Sequence, residues 1–269
     1  MTRLKENDLE GLGENLKQYD LDLVRRTGLT LGQLACKAAG KSESIFTDKA
    51  IRVAVVPIST GEGVIPGFAE SVCAIVSHLG CEAEVTSSSD VTGIWLAARD
   101  NYDILFLADD YRFIALSLRT KSMAENGEAT ARGYVTALEF LSGGLSGQEV
   151  LVVGAGEVGT VAIACLQELG AKVSVLEVDE VKIAALTQAG INAIYNRKEN
   201  LASYQFIVDA SPQGDFLDLS NLHSQAAIAA PGIPFGLTKA AHQVFKNRVI
   251  HDPLELGVAT MLAMVMSED

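Results

Sequence analysis

The sequence predicts an α/β protein with two alternating halves behind a helical N-terminal segment. Short runs of β-branched and apolar residues recur at strand length, for example at 51–58 and 172–179. Most of these runs are followed by a segment with the apolar period of a helix, and most of those segments end at a glycine. Because a crossover helix lets the next strand run in the same direction, this order predicts a parallel sheet in each half.

The composition fits a folded chain of two modest domains. The 269 residues are 48% hydrophobic and 20% charged, which is typical of a protein with a packed core. The formal net charge of −13 repels phosphate backbones and anionic membrane surfaces. We therefore expect a small-molecule substrate, and neither a nucleic acid nor a membrane as partner.

The ends of the chain and its cysteines predict a cytoplasmic protein without a metal site. The first residues lack the apolar stretch of a secretory signal, and the apolar segment 256–266 is too short to span a bilayer. The cysteines form no CxxC pair, which favours reduced thiols, and the histidines lack the spacing of a zinc site. These residues are Cys36, Cys73, Cys81, Cys165, His78, His223, His242 and His251.

Residues 1–48 are expected to form the helical segment, because leucines at helical spacing precede helix ends at Gly28 and Gly40. Residues 49–143 then form the smaller α/β domain, in which Asp90 is the expected cap of a helix. The strands of this domain are expected at 51–58, 81–86 and 103–110, followed by a long connection at 111–127 and a helix at 128–141.

Residues 144–269 are expected to form the second α/β domain, which begins after the glycine pair at 143–144. Its last helix, at 255–266, is apolar enough to pack back on the smaller domain. The expected elements are a strand ending at the glycines 154–156, helices at 160–169 and 181–188, and further strands at 172–179, 206–212, 226–232 and 247–253.

A glycine-rich turn predicts where this second domain binds a dinucleotide. The segment GAGEVG, at 154–159, follows a strand and opens a helix, which is the context that makes a GxGxxG pattern specific. Gly154 allows the tight turn, Gly156 lets the backbone approach a pyrophosphate, and Gly159 lets helix and strand pack closely. With Glu157 and Val158, these glycines predict a Rossmann domain with phosphates at the helix N-terminus.

Glu177 indicates that the dinucleotide is NAD. It ends the next strand, roughly 20 positions further on, where a carboxylate accepts hydrogen bonds from ribose hydroxyls and repels a 2′-phosphate. Further contacts are expected at the carboxyl ends of later strands, where open α/β sheets bind ligands. The expected set comprises Val178, Asp209, Ala210, Ser211, Pro231, Gly232 and Pro234.

The smaller domain is then expected to hold the substrate, at the carboxyl ends of its own strands. Asp109 and Asp110 follow a strand directly, so they are candidates for gripping an ammonium group or accepting a proton. His251 and Asp252 are adjacent, but neighbours on a strand point to opposite faces, which disfavours a catalytic pair. A turn between a strand and a helix offers amides and hydroxyls to a substrate carboxylate, and its residues are Ser59, Thr60, Gly61, Glu62 and Gly63.

The chain resembles the PylD family, which includes the last dehydrogenase of pyrrolysine biosynthesis. The resemblance covers essentially the whole chain and is carried by 28–40, 51–80, 103–113, 129–147 and 251–261. It implies NAD-dependent oxidation of the terminal amine of L-lysine-Nε-(3-methyl-D-ornithine), loss of ammonia and closure of the pyrroline ring. It also implies that Leu4, which we place in the first helix, belongs to a segment that closes over the substrate.

Two other interpretations stay open. The chain can be another amine, amino-acid or shikimate-type dehydrogenase, or an NAD-binding regulatory module without turnover. A regulator needs no acidic pair opposite the cofactor, so Asp109 and Asp110 favour an enzyme. The sequence does not define the proton acceptor or the oligomeric state, although a homodimer is common for this plan.

Overall fold

The computed structural model describes residues 4–47, 51–195 and 201–267, and the chain forms two compact units. The first unit comprises Met1–Val24, Leu29–Gly133 and Pro253–Asp269, and the second comprises Arg25–Gly28 and Tyr134–Asp252. The sequence predicts a domain boundary at residue 144. The two units instead divide between Gly133 and Tyr134, within a helix. The helical segment 1–48 does not stand alone, because most of it belongs to the first unit.

The helices and strands alternate over much of the chain, as the sequence predicts. The helices are α1 (Leu12–Thr27), α2 (Leu31–Ala39), α3 (Phe68–His78), α4 (Asp90–Arg99), α5 (Asn126–Ser142), α6 (Glu157–Glu168), α7 (Glu180–Gln188), α8 (Lys239–Phe245) and α9 (Glu255–Val265). The strands are β1 (Arg52–Pro57), β2 (Glu82–Val85), β3 (Ile104–Ala108), β4 (Phe113–Ser117), β5 (Met123–Glu125), β6 (Glu149–Val153), β7 (Lys172–Leu176), β8 (Asn192–Ile194), β9 (Phe206–Asp209), β10 (Ala227–Ala229) and β11 (Val249–Ile250).

The sheet of the first unit is parallel only in part. Its strand order is β2-β1-β3-β4-β5, and β2, β1 and β3 run parallel as expected. The predicted long connection at 111–127 is wrong, because it contains β4 and β5, which extend the sheet as an antiparallel edge. The chain reverses between β3 and β4 because Asp109 Oδ1 accepts the backbone N–H groups of Tyr111 and Arg112, which closes a tight turn.

The helix α9 belongs to the first unit and is almost completely buried there. It packs against α2, α3, β4 and β5. Two glycines make this packing possible. A Cβ at Gly133 would press on Thr260 of α9, and a Cβ at Gly257 would press on Asn126 and Thr130 of α5. Truncation of one large buried apolar side chain typically lowers the free energy of unfolding by several kcal/mol. The buried helix α9 therefore contributes much of this unit's stability.

The sheet of the second unit is fully parallel, with the order β11-β10-β9-β6-β7-β8. Counted from its own first strand, this is the 3-2-1-4-5-6 order of a Rossmann domain, which confirms the predicted fold class. One apolar cluster of its core includes Leu151, Ile207 and Ile228 from three neighbouring strands. The order reverses between β6 and β9, so the crevice expected to bind a ligand lies at their carboxyl ends.

Three local predictions fail. Leu4 lies outside any helix, before a short 3-10 helix at Glu6–Asp8, since the periodic helix starts only at Leu12. Asp90 does not cap α4: Ser89 occupies the N-cap, and Asp90 takes a left-handed backbone with φ of +56°. The short elements β8 and α8 were not expected either. Within the described residues, no helix is long and apolar enough to cross a membrane.

Candidate functional site

The glycine turn after β6 combines tight packing with one open position. Gly154 has φ of +87°, and a Cβ there would lie 3.2 Å from the carbonyl oxygen of Ala210. A Cβ at Gly159 would collide with the carbonyl oxygen of Gly154. A Cβ at Gly156 would meet nothing within 4 Å. Gly154 and Gly159 are therefore required by the packing of the protein itself. Gly156 instead leaves open the space that a ligand can occupy.

The open position coincides with the start of α6. Gly156 is the N-cap and contributes no side-chain cap, and the helix begins with Glu157 and Val158. The first backbone N–H groups of a helix have no partner within it, and its dipole favours an anion at this end. A pyrophosphate fits this cradle, so the residues present suit a bound dinucleotide.

Glu177 stands at the carboxyl end of β7 and holds the glycine turn. Its Oε2 accepts the backbone N–H of Ala155 at 2.7 Å, and its Oε1 accepts those of Val178 at 2.7 Å and Asp179 at 3.1 Å. Burial opposes ionisation of Glu177, but these bonds outweigh it and lower its pKa. The residue is thus a buried carboxylate beside the turn, with Lys182 Nζ 4.0 Å from Oε2.

Asp209, at the end of β9, is a second buried carboxyl group in this unit. Its Oδ1 accepts the hydroxyl of Ser211 at 2.7 Å and the backbone N–H of Ser211 at 3.2 Å. Its Oδ2 is buried without a hydrogen-bond partner and lies against Gly236, where a Cβ would collide with it. Burial raises the pKa of Asp209 to about 6, against the opposing effect of the two Ser211 bonds. Its side chain is fully buried and hydrogen-bonds the turn at the sheet edge, and its predicted contact with the cofactor stays a prediction.

The loop after β10 contains the other predicted cofactor residues. Gly232 donates its backbone N–H to the carbonyl oxygen of Asp209 at 2.9 Å, and a Cβ there would collide with the carbonyl of Ser211. The Ile233–Pro234 peptide is cis. The structure therefore brings the predicted residues Asp209, Ala210, Ser211, Pro231, Gly232 and Pro234 together at one carboxyl edge, beside the glycine turn.

In the first unit, the turn after β1 is occupied by the chain's own carboxylates. Asp90 accepts the backbone N–H of Ser59 at 2.8 Å on Oδ1 and the Ser59 hydroxyl at 2.6 Å on Oδ2. These bonds, with that from the Ser89 hydroxyl, lower the pKa of Asp90. Sequence reasoning missed this residue, because its partner lies 31 positions away and its type alone suggests an ordinary cap.

Asp110 makes the matching contact on the other side of the same turn. Its Oδ2 accepts the backbone N–H of Glu62 at 2.7 Å and sits where a Cβ of Gly61 would be. Asp109 has a different task, since it closes the turn between β3 and β4, and its bonds from the Arg112 and Tyr111 amides lower its pKa. The predicted pair is therefore close in space, but only Asp110 contacts the turn at 59–63.

The result is an acidic edge, by which we mean Glu62, Asp90, Asp109 and Asp110. These residues follow β1, β2 and β3, which are adjacent in the sheet. Two donors of the turn, at Ser59 and Glu62, are already bound to carboxylates, so they disfavour a second carboxylate from a substrate. Thr60, Gly61 and Gly63 complete the turn. Negative charge at exposed positions suits a cationic ligand instead.

The remaining predictions concern metals and cysteines. Within the part of the chain that the structure describes, no three His, Cys, Asp or Glu side chains are placed to hold a metal ion. The four cysteines are not in disulfides. Burial and the nearby Glu70 and Glu84 raise the pKa of Cys73 to about 12, so this thiol stays protonated and unreactive at neutral pH.

Comparison with known proteins shows which proteins the chain resembles. Residues 8–124 match "Pyrrolysine biosynthesis protein PylD, N-terminal domain", and residues 122–211 match "Alanine dehydrogenase/PNT, C-terminal domain". The pyrrolysine synthase of Methanosarcina acetivorans is 29% identical over 99% of this chain and 100% of its own length. That of Methanosarcina barkeri is 28% identical over 99% of this chain and 98% of its own.

The chain is therefore similar to pyrrolysine synthases over nearly its whole length. Solved structures of other proteins show a similar fold. Shikimate dehydrogenase from Aquifex aeolicus has a TM-score of 0.55 at 12% identity, covering 81% of this chain and 91% of its own. Quinate dehydrogenase from Corynebacterium glutamicum, solved with NAD, has a TM-score of 0.52 at 15% identity, covering 80% and 92%. The likeness to these two dehydrogenases concerns the fold of the chain.

Proposed function

We propose that this chain is an NAD-dependent dehydrogenase that oxidises the terminal amine of L-lysine-Nε-(3-methyl-D-ornithine), with loss of ammonia and closure of the pyrroline ring of pyrrolysine. The observation that carries the proposal is the acidic edge of the first unit, in a chain related over its whole length to pyrrolysine synthases. A substrate with several amines is the chemical complement of this edge.

The glycine turn supports binding of the cofactor. When bound, NAD supplies the hydride acceptor. The N-terminus of α6 is suited to its pyrophosphate, and Glu177 places a buried negative charge where a 2′-phosphate of NADP would have to come. Asp179, which caps α7 beside it, adds to this repulsion. NAD is therefore the proposed cofactor.

The acidic edge supports binding of the substrate ammonium groups. Asp110 and Glu62 lie together, and Asp90 is fixed in its ionised form by the Ser59 bonds. A carboxylate that is already hydrogen-bonded to the backbone is rigid, so it can orient a cation without losing side-chain entropy on binding. The same charge disfavours shikimate-like substrates, which carry a carboxylate and no amine.

Turnover with the purified protein tests the proposal. NADH formation is measured with lysyl-methylornithine, with free ornithine and with shikimate, each in the presence of NAD. The proposal expects NADH only with the first compound. NADH with shikimate or a simple amino acid selects another dehydrogenase, and tight NAD binding without turnover selects a regulatory module.

The variant Asp110→Asn tests the place of the substrate. The amide oxygen still accepts the Glu62 N–H, so the turn is kept while the charge is lost. The substrate KM should rise at least tenfold with an unchanged KM for NAD. Asp100→Asn is the matched control, because Asp100 pairs with Arg99 at the end of α4, which leads to the amino end of β3. Equal changes in both KM values, or an equal effect of the control, contradict the placement.

A further inference from the structure

His251 occupies the carboxyl edge of the second sheet without a role in the site so far. It directly follows β11, and its Nδ1 lies 2.7 Å from the carbonyl oxygen of Ala230, the residue after β10. The bond therefore joins the ends of two adjacent parallel strands. It fixes the imidazole at the edge where open α/β sheets bind their ligands.

An aromatic ring fixes the orientation of this imidazole. The rings of Phe235 and His251 are stacked, with centroids 4.1 Å apart and an interplanar angle of 20°. Phe235 is itself held by the N–H of Asp215, which donates to its carbonyl oxygen at 3.2 Å. The stack on Phe235 sets the plane of the imidazole, and the hydrogen bond of Nδ1 to Ala230 sets its rotation within that plane. Together they determine the direction of Nε2.

The hydrogen bond also fixes the tautomer. A backbone carbonyl can only accept, so Nδ1 must carry the proton, and in the neutral ring Nε2 is left with a free lone pair. When Nε2 takes up a proton, the Nδ1–H bond to Ala230 is retained. Proton uptake therefore needs no rearrangement of the ring or of the strand ends.

The strand order places His251 on the nicotinamide side. The glycine turn follows β6, and Glu177 follows β7 on one side of it. In a Rossmann domain this side takes the adenosine, and the other half of the sheet takes the second nucleotide. The strands β9, β10 and β11 form that other half, and each adds about 4.8 Å. Ala230 and His251 thus lie on the order of 10–15 Å from the turn, within the span of an extended dinucleotide.

The groups around the ring do not compete for Nε2. His242 on α8 packs edge-on against Phe235, with the ring centroids 5.2 Å apart, and burial, with His251 and Arg26, lowers the pKa of His242. Arg26 on α1 donates to the carbonyl oxygen of Val249 at 2.7 Å. The backbone N–H of Asp252 donates to the Tyr134 hydroxyl at 2.9 Å, and its buried side chain points away from solvent.

We propose that His251 lies beside the nicotinamide end of the bound dinucleotide and accepts the proton of the substrate's terminal ammonium group. The inference rests on the proposed function. The ammonium N–H bond breaks and its proton passes to Nε2, which becomes an imidazolium. The nitrogen keeps the electron pair, and this neutral amine allows hydride to leave the adjacent carbon. The imidazolium then returns its proton to water.

The test uses His251→Asn, His251→Ala and the control His242→Asn in the full chain. The Asn side chain can still donate to Ala230, but it cannot accept a proton. His242→Asn removes the other ring that packs against Phe235, and His242 lies on α8 and not at the end of a strand. We expect kcat to fall about 100-fold in both His251 variants and less than twofold in the control. Added imidazole should restore at least a tenth of the lost kcat in His251→Ala.

A binding measurement without substrate checks the position of His251. Calorimetric titration compares NAD with ADP-ribose, which lacks the nicotinamide. In His251→Ala the affinity for NAD should fall at least threefold while that for ADP-ribose, which also reports correct folding, stays unchanged. Equal effects on both ligands, or kcat loss that imidazole does not rescue, overturn the inference. If wild type forms no NADH, the proposed function and the proton transfer fail, and the titration alone decides whether His251 contacts the nicotinamide.

Discussion

The carboxyl edges of the two sheets each carry a connection from a strand to a helix, but their chemistry is opposite. In the first unit, the turn after β1 gives the amides of Ser59 and Glu62 to the chain's own aspartates. In the second unit, the turn after β6 contains Gly156, which leaves open space in front of the helix N-terminus. One edge therefore presents negative charge, and the other presents unpaired donors.

The difference shows that the residue type decides which ligand a βα turn attracts. A helix N-terminus alone favours anions, and this is the basis of phosphate binding after β6. The turn at 59–63 lies before the start of α3 at Phe68, and the acidic side chains after β2 and β3 accept its N–H groups at Ser59 and Glu62. A substrate rich in ammonium groups and a cofactor rich in phosphates are therefore expected at different edges of the same chain.

Of the variants considered, Gly156→Val should have the largest effect, which is the loss of NAD binding at the glycine turn. A side chain at this position meets no protein atom, so the melting temperature should change by less than about 2 °C, while the bound pyrophosphate is blocked. We expect the Kd for NAD to rise at least 100-fold, or about 2.7 kcal/mol, in a calorimetric titration. Thr160→Val, one turn further along α6, is the control and should bind NAD normally. Unimpaired binding by Gly156→Val would show that the pyrophosphate lies elsewhere.

The variant Glu177→Gln should weaken the same edge by a smaller factor. Its amide cannot accept all three backbone N–H bonds, and it carries no charge against a 2′-phosphate. We expect the KM for NAD to rise about 10- to 30-fold and the preference for NAD over NADP to shrink by a similar factor. Glu180→Gln, in the exposed first turn of α7, serves as control. An unchanged preference would remove Glu177 from cofactor discrimination.

The variant Asp209→Asn should have the smallest effect of the three, and this effect is on the free energy of unfolding rather than on binding. Burial raises the pKa of Asp209 to about 6, whereas in the unfolded chain it is about 3.8. The folded state therefore holds the proton more tightly, so this carboxyl group lowers the free energy of unfolding as pH rises from about 4 through 6. Between pH 5 and pH 8, wild type should lose about 1–2 kcal/mol relative to Asp209→Asn in urea unfolding. Parallel pH profiles of the two proteins would contradict a buried, titrating Asp209.

The sequence predicts the second unit well because its signals are local. The glycines at 154–159 and the strand–helix alternation are recognisable within short stretches, and the acid at 177 has the expected spacing from the glycines although it bonds Ala155, 22 positions away. The parallel core of the first unit is predicted for the same reason. The antiparallel strands β4 and β5 escape prediction, because they are short and are defined by pairing, of β4 with β3 and of β5 with β4.

The acidic edge is only half predictable. Asp109 and Asp110 stand out because they follow a strand, but their different tasks depend on partners in space. The bond from Glu62 to Asp110 spans 48 positions, and that from Ser59 to Asp90 spans 31. The expected substrate contacts at 59–63 and at Leu4 stay predictions, and the bonded donors of Ser59 and Glu62 favour an amine over a carboxylate at that turn.

The most direct test is mass spectrometry of the product that the wild-type chain forms from lysyl-methylornithine and NAD. If the acidic edge binds the substrate amines and the glycine turn binds NAD, we expect one equivalent of NADH, one equivalent of released ammonia and a product with the mass of pyrrolysine. A product that retains the terminal nitrogen, or an unchanged substrate beside bound NAD, would contradict it.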